Sequence, residues 1–292
     1  MRVAHAPGEL EARPRTAAIG TFDGVHLGHR AVIRAAVEAG PLPTVVTFHP
    51  HPREVLGNRV ALLSTLERRL ELLADLGVEE TLVVEFTLEL AGLEPEAFVR
   101  GYLEAIGVEQ VVAGAGFRFG RRRAGSLETL EQLGVRALVA PQVEGVSSTL
   151  IRRLLADGDV RGAAALLGRP AEVEGTVVSG DGRGGTLGYP TANLRTDPAL
   201  LVPGYGIYAG SALGPGPERH RAALSIGVNP HYGGAERRIE PYLLDFDGDL
   251  YGQRLVVELW ERLRDEAAFA SEAELVAQIA RDVEATRAAT RP

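Results

Sequence analysis

The first half of the chain alternates between short apolar runs and longer amphipathic stretches. The apolar runs, rich in valine or leucine, predict strands at residues 16–19, 44–48, 81–84, 110–113 and 136–139. The amphipathic stretches predict helices at residues 66–76, 95–106 and 126–133, followed by a pair at 149–155 and 160–167. Such alternation predicts an α/β fold of the Rossmann type, in which helices cover both faces of a parallel sheet.

Beyond Arg169 and Pro170 the pattern changes to strands that are separated by loops rich in glycine, proline and aspartate. The strands are predicted at residues 172–178, 207–213, 221–226, 239–246 and 254–259. This spacing predicts an antiparallel barrel or sandwich. Residues 271–287 place apolar side chains at four-residue steps and predict a terminal amphipathic helix. We therefore predict two domains, residues 1–169 and 170–292, each large enough to bury its own core.

Composition narrows the chemistry that the chain can perform. The 292 residues contain no cysteine, which excludes a disulfide, a thiolate nucleophile and a cysteine-bound metal. They contain no lysine, so the 31 formal positive charges are all arginine. Phosphates must therefore be bound by arginine, histidine, helix ends or a metal. The net charge of −8 argues against general nucleic-acid binding. Because no apolar run approaches the roughly 20 residues of a membrane span and no signal segment is visible, we expect a cytoplasmic protein.

The most informative segment is the turn that contains His26, Gly28 and His29. It follows a predicted strand and opens a predicted helix, where free backbone N–H groups and the positive helix end favour a phosphate. Both imidazoles can offer an N–H to phosphate oxygens, and the glycine leaves room for a nucleotide. Two other interpretations are histidines that only cap the turn, and a zinc site formed with His49 and His51.

A second phosphate-binding segment is predicted at residues 147–152. Ser147, Ser148 and Thr149 place hydroxyl groups at the start of a helix, and Arg152 lies one turn further along. Hydroxyl and N–H groups with a guanidinium would suit the outer phosphates of ATP. Ordinary helix capping by the hydroxyl groups is the alternative interpretation. Residues 114–123 follow the fourth strand and add three consecutive arginines that could meet anions.

The second half has its own nucleotide-binding pattern. Residues 180–194 join a flexible glycine loop, with Gly180, Gly182 and Gly188, to a Pro-Thr-x-Asn turn. Thr191 and Asn193 lie two apart on an extended segment and present oxygens on the same side for Mg²⁺. Glu240 lies on a later strand and is a candidate base for an alcohol; a surface glutamate is the alternative.

Together these motifs resemble the bacterial bifunctional riboflavin kinase and FMN adenylyltransferase family, also called FAD synthetases. The resemblance runs from about Ala17 to Val283 and rests on four segments, which are residues 20–29, 147–149, 188–194 and 249–252. It implies a nucleotidyltransferase domain followed by a six-stranded antiparallel barrel with a terminal helix. It also implies that ATP and Mg²⁺ serve both sites, that riboflavin is the first substrate, and that FMN and FAD are the products.

The resemblance assigns roles to individual residues. In the second domain Glu240 would be the catalytic base, while Thr191 and Asn193 would hold the metal and phosphates under the glycine loop. In the first domain His26 and His29 would stabilise charge on the α-phosphate of ATP. The nucleotide would be bound by residues of both predicted sites, which are Gly20, Phe22, Gly28, Ser147, Ser148, Thr149, Arg152, Gly180, Gly182, Gly188, Thr191 and Asn193.

The chain departs from the family pattern at Gly116, where an Asp or Asn is usual, and at Leu150, where a polar residue is common. These departures leave open a riboflavin kinase whose adenylyltransferase domain is weakened or inactive. Adenylyl transfer to another small phosphate and a flavin-binding protein without turnover are further alternatives. The oligomeric state is not predicted.

Overall fold

The chain forms two compact units, residues 1–148 and 149–292, in a computed structural model. The structure describes residues 1–180, 183–214, 216, 218–229 and 236–292. The division falls between Ser148 and Thr149, so the pair of helices that precedes residue 169 belongs to the second compact unit. The predicted boundary after residue 169 stays a prediction about the functional domains.

The first unit is built on a six-stranded parallel sheet with the strand order β1-β4-β3-β2-β5-β6. The strands are β1 (Arg2–Ala4), β2 (Arg15–Ile19), β3 (Pro43–His49), β4 (Glu80–Glu85), β5 (Val108–Ala113) and β6 (Arg136–Val139). The chain leaves β2 towards β3 on one side and leaves β5 towards β6 on the other. The carboxyl ends of β2 and β5 therefore flank a topological switch point, where open α/β sheets bind ligands.

Helices cover both faces of this sheet, which confirms the predicted α/β fold. They are α1 (Leu27–Ala39), α2 (Pro52–Val55), α3 (Leu66–Ala74), α4 (Leu88–Ala91), α5 (Pro95–Phe98) and α6 (Leu127–Gln132). Successive residues of a strand point to opposite faces. Ala18 accordingly packs in the core cluster that contains Ile33 of α1, whereas its neighbour Ala17 packs in the cluster that contains Phe98 of α5.

The helix predicted over residues 95–106 is wrong as a single α-helix. The α-helical part ends at Phe98 and continues as a π-helical turn at Val99–Leu103 and a 3₁₀ turn at Glu104–Ile106. Gly107 then adopts φ +78°, and a Cβ there would lie 2.5 Å from the carbonyl oxygen of Arg13. The segment thus widens at the π-helical turn, tightens at the 3₁₀ turn and ends at a sharp exit that only glycine fits.

The second unit contains a six-stranded antiparallel sheet with the order β11-β10-β9-β12-β7-β8. Its elements are α7 (Ser148–Ala156), α8 (Val160–Leu167), β7 (Ala171–Val178), α9 (Arg183–Thr186), β8 (Asn193–Arg195), β9 (Gly206–Leu213), β10 (Arg219–Asn229), β11 (Glu236–Leu243), β12 (Arg254–Arg264) and α10 (Glu272–Ala288). The edges β8 and β11 approach each other, because Ala192 donates its N–H to the carbonyl oxygen of Pro241 over 2.9 Å. The predicted barrel and terminal helix are confirmed.

Two differences from the prediction matter for the site. The short strand β8 was not predicted, and it carries Asn193 into the barrel by pairing with β7. The strand predicted to end at residue 246 ends at Leu243, because Asp245 adopts φ +56° in the turn to β12. None of the helices in the described ranges is long and apolar enough to cross a membrane.

Candidate active sites

The turn after β2 brings His26 and His29 together at the start of α1. His26 is the N-cap of this helix, and its Nδ1 accepts the backbone N–H of His29 over 3.2 Å. In a neutral imidazole the proton is then on Nε2, which becomes a donor. The two rings stack with centroids 3.5 Å apart and planes 18° from parallel. Their polar edges are thereby held as one pair at the positive end of a helix dipole.

Two other predicted residues of this turn shape the space around the histidines. A Cβ on Gly28 would lie 3.2 Å from Cε1 of His26, so the absence of a side chain lets the imidazole lie over the helix start. The ring of Phe22 covers Gly20 closely and meets His29 edge-on at 5.4 Å. The structure therefore groups Gly20, Phe22, Gly28 and both histidines at the carboxyl end of β2.

The predicted hydroxyl segment occupies the start of α7. Ser147 directly precedes the helix, Ser148 is its first residue, and Arg152 lies one turn further along. The compact units divide inside this segment, with Ser148 ending the first and Thr149 beginning the second.

Of the four histidines considered for zinc, His26 and His51 each cap the start of a helix. Nδ1 of His51 accepts the N–H of Arg53 over 3.1 Å and caps α2. Within the ranges that the structure describes, no three His, Asp or Glu side chains form a metal-binding cluster.

Sequence reasoning missed a group of aromatic side chains at the carboxyl ends of the strands. Phe48 is the second-last residue of β3, Phe86 follows β4, and their rings meet edge-on at 5.8 Å. Phe117 follows β5 and stacks on Phe119 at 5.6 Å, and Phe98 contacts both Phe48 and Phe119. A hint was present in the sequence, since an aromatic residue lies at or just after three of the predicted strands.

The loop after β5 also contains the predicted arginines and the unusual Gly116. Arg121 forms an exposed ion pair with Glu94 at 2.9 Å. A Cβ built on Gly116 meets no atom within 4 Å, so the glycine is not required by packing. The departure from the family pattern thus removes a side-chain oxygen without any steric reason for its loss.

In the second unit a cavity of about 400 Å³ brings together the predicted kinase residues. Thr191 before β8, Asn193 of β8 and Glu240 of β11 all line it, and Tyr189 and Tyr242, also in the lining, meet edge-on at 5.5 Å. Glu240 pairs across the sheet with Ser225, and one of its carboxylate oxygens lies 3.7 Å from Nη1 of Arg238. The side chain of Glu240 is 29% exposed, so a substrate could reach it.

The backbone of the predicted glycine loop lies so close to two side chains of the site that it leaves little room for a Cβ. A Cβ on Gly180 would lie 2.1 Å from Nδ2 of Asn193, and one on Gly184 would lie 3.1 Å from Oγ1 of Thr191. Position 188 requires glycine for a different reason, because its φ of +82° lies in the left-handed region that other residues rarely adopt. Gly182, also predicted to bind nucleotide, lies outside the described residues.

Another part of the cavity lining comes from α10 and the segment before it. Leu275, Ile279 and Val283 of α10 give it an apolar surface. Arg264 forms a two-pronged ion pair with Asp282, with Nη2 to Oδ2 at 2.7 Å and Nε to Oδ1 at 3.0 Å. Burial raises the pKa of the nearby Glu266 carboxyl above its usual value.

Fold and sites together define a class of protein, in which a nucleotidyltransferase-like α/β unit is joined to a barrel with a glycine-loop site. A family model described as FAD synthetase matches residues 9–149, and one described as riboflavin kinase matches residues 167–290. The bifunctional riboflavin kinase/FMN adenylyltransferase of Listeria monocytogenes is 39% identical and covers 93% of this chain and 91% of its own length. That of Escherichia coli K12 is 38% identical, with 90% and 89% covered. The chain belongs to the bifunctional riboflavin kinase/FMN adenylyltransferase family.

A solved structure shares the fold over nearly the whole chain. It is a crystal structure from Streptococcus pneumoniae titled a macrolide-efflux protein, 31% identical, with a TM-score of 0.86 and 98% of each chain covered. The description as an efflux protein is specific to that protein, whereas both family models and the two relatives above are described as flavin enzymes.

Proposed function

We propose that the second unit phosphorylates riboflavin to FMN and that the turn at His26 and His29 then serves adenylyl transfer from ATP to FMN, giving FAD. The observation that carries the proposal is the cavity that unites Thr191, Asn193 and Glu240 with an apolar helix face. A cavity with this division suits a ligand that has a flat apolar ring system and a polar chain. Riboflavin is such a ligand.

The acceptor would lie across this cavity. Its ring system would pack against Leu275 and Ile279 of α10, and its ribityl chain would extend towards Glu240. Glu240 would accept the proton of the terminal hydroxyl as the oxygen forms a bond to the γ-phosphorus of ATP. The bond from that phosphorus to the bridging oxygen breaks, and ADP leaves.

The residues present fit a magnesium ion. A hydroxyl and an amide oxygen, from Thr191 and Asn193, are hard ligands of the kind that Mg²⁺ accepts beside ATP phosphates. The closeness of Gly180 and Gly184 to these two side chains leaves a cradle that a Cβ would fill. When bound, the ion would neutralise charge on the phosphates.

Adenylyl transfer needs positioning more than an enzyme nucleophile. An oxygen of the FMN phosphate forms a bond to the α-phosphorus of ATP, and pyrophosphate leaves with the electrons of the broken bond. The Nε2–H of His26 and the imidazole of His29 would stabilise charge on the α-phosphate. Ser147, Ser148, Thr149 and Arg152 would hold the departing pyrophosphate.

The aromatic side chains suggest where FMN would lie in the first unit. Phe117 is partly exposed, stacks on Phe119 and follows β5 beside the switch point. Aromatic rings prefer offset stacking or edge contacts with other flat rings. We therefore assign the flavin ring to this surface, with its phosphate directed to the histidine turn.

Because both reactions consume ATP, we place the enzyme in the cytoplasm, with riboflavin, FMN and ATP as its partners and no nucleic acid or membrane among them. The test is chromatography of products after incubation of the purified protein with Mg·ATP and either riboflavin or FMN. The proposal requires FAD from both substrates. FMN alone from riboflavin would favour a kinase with an inactive first domain, and no flavin product would refute both activities.

A further inference from the structure

A buried polar group joins the histidine turn to a distant part of the first unit. Asp23 is 1% exposed, and its Oδ1 accepts the N–H groups of Leu63 over 2.9 Å and Ser64 over 3.2 Å. In return, Oγ of Ser64 accepts the N–H of Gly24 over 3.1 Å. Three hydrogen bonds thus tie the turn to a segment about 40 residues further along the chain.

Arg69 places a charge beside this connection. It lies on α3 and is also 1% exposed, and its Nη1 donates to the carbonyl oxygen of Phe48 at the end of β3 over 3.2 Å. Burial lowers the pKa of Arg69, while the negative charge of Asp23 opposes that effect. Among the described residues its Nε has no hydrogen-bond acceptor. Burying a charged arginine with an unpaired N–H lowers the stability of the fold, which argues that Arg69 has a role beyond packing.

The turn needs this support because its backbone is strained. Phe22 and Val25 adopt φ values of +49° and +40°, which bulky side chains rarely do. Gly24 lies between them at φ +77°, and a Cβ there would lie 2.7 Å from Cβ of Leu63. His26 follows directly, so the conformation of the strained turn sets the direction of both imidazoles.

We infer that Asp23, Ser64 and Arg69 are positioning residues for adenylyl transfer. Asp23 and Ser64 hold the strained turn through their hydrogen bonds, and Arg69 adds a buried charge beside Asp23, so that His26 and His29 meet the α-phosphate correctly. The inference rests on the proposed function of the first unit. It predicts that loosening the connection lowers kcat for FAD formation while leaving the KM for FMN unchanged.

The chain offers a matched control for each variant. Ser64→Ala removes the acceptor for Gly24, whereas Thr65→Ala removes a neighbouring hydroxyl that caps α3 by accepting the N–H of Arg68 over 3.0 Å. Arg69→Lys retains the positive charge but replaces the planar guanidinium, with its several N–H donors, by an ammonium group. Arg15→Lys makes the same change at another buried arginine of this unit, which pairs with Glu80 at 2.7 Å at the opposite, amino-terminal end of the strands.

The experiment measures kcat and KM of the four full-length variants for FAD formation from FMN, with riboflavin phosphorylation as the internal control. Since displacements of about 1 Å can cost a hundredfold in rate, we expect kcat to fall about tenfold or more in Arg69→Lys and several-fold in Ser64→Ala. KM for FMN and the kinase rate should stay within about twofold, and both control variants should keep the wild-type kcat.

Equal losses of kcat in Ser64→Ala and Thr65→Ala, or no loss in Ser64→Ala, would overturn the inference, and this pair decides the matter even if Arg69→Lys does not fold. Wild-type protein that makes FMN but no FAD would instead remove the proposed function of the first unit, and the inference with it.

Discussion

At the scale of single residues, a substitution at Gly28 should change catalysis with little effect on stability. It is the second residue of α1 and lies outside the left-handed region, so alanine fits its backbone. The new Cβ would lie 3.2 Å from the imidazole of His26 and push that ring aside. We predict that Gly28→Ala lowers kcat for FAD formation about tenfold. The free energy of unfolding should change by no more than about 1 kcal/mol, because the stabilising effect of alanine in the helix offsets the weakened cap from His26 to the N–H of His29.

The matched control for this variant is Gly101→Ala. Gly101 lies in the π-helical turn, and a Cβ there meets no atom within 4 Å. Steady-state kinetics and thermal unfolding of both proteins test the prediction. Full FAD synthesis by Gly28→Ala would mean that the position of the His26 ring does not matter.

The same scale shows what a sequence can reveal about a site. His26, Gly28 and His29 could be predicted because they are neighbours and their chemistry depends on one turn. The connection from Asp23 to Ser64 and Arg69 could not, since it joins residues about 40 positions apart through side-chain contacts. The aromatic surface was missed for the same reason, because Phe48, Phe86 and Phe117 meet only in the folded unit.

At the scale of elements, length decided which strands could be predicted. β2 to β6 carry runs of apolar residues long enough to give a pattern, whereas β1 and β8 have three residues each. β8 exists because β7 offers it a pairing edge, and that partner lies beyond the intervening glycine loop. Thr191 and Asn193 were nevertheless predicted, since their spacing depends on the local Pro-Thr-x-Asn turn.

β12 allows a prediction about pH, because its Glu258 is 3% exposed and fixes the C-terminal tail. Burial raises the pKa of this carboxyl, but hydrogen bonds from Arg291 and Trp260 and the charges of Arg219 and Arg291 outweigh it and hold the pKa below its usual value. A lowered folded-state pKa stabilises the protein above the unfolded value, near about 4.3, and this stability is lost as the pH falls through the folded value.

We therefore predict that Glu258→Gln lowers the free energy of unfolding at pH 7 by about 2 kcal/mol, as expected for lost hydrogen bonds to a charged group. The difference from wild type should shrink as the pH falls below about 4. Thermal unfolding across pH measures it, with Glu261→Gln as the control, since its pair with Arg161 at 2.7 Å is exposed. A difference that is independent of pH would contradict this account of β12.

At the scale of the whole molecule, two hydrophobic patterns gave two architectures. Alternating strands and helices predicted the parallel sheet, and short strands between glycine-rich turns predicted the antiparallel barrel. What the patterns could not give is how the barrel edges meet, because the bond from Ala192 to Pro241 depends on tertiary approach. Under the proposed function, the histidine turn and the barrel cavity serve different reactions, so mutation should separate the two activities.

The most direct measurement is product analysis for His29→Ala and Glu240→Gln, each supplied with Mg·ATP and either riboflavin or FMN. We predict that His29→Ala makes FMN from riboflavin but loses FAD formation by about a hundredfold or more. Glu240→Gln should make FAD from FMN but lose FMN formation by a similar factor. A mixture of the two variants should convert riboflavin to FAD. If either folded variant lost both activities equally, the assignment of two separate sites would be contradicted.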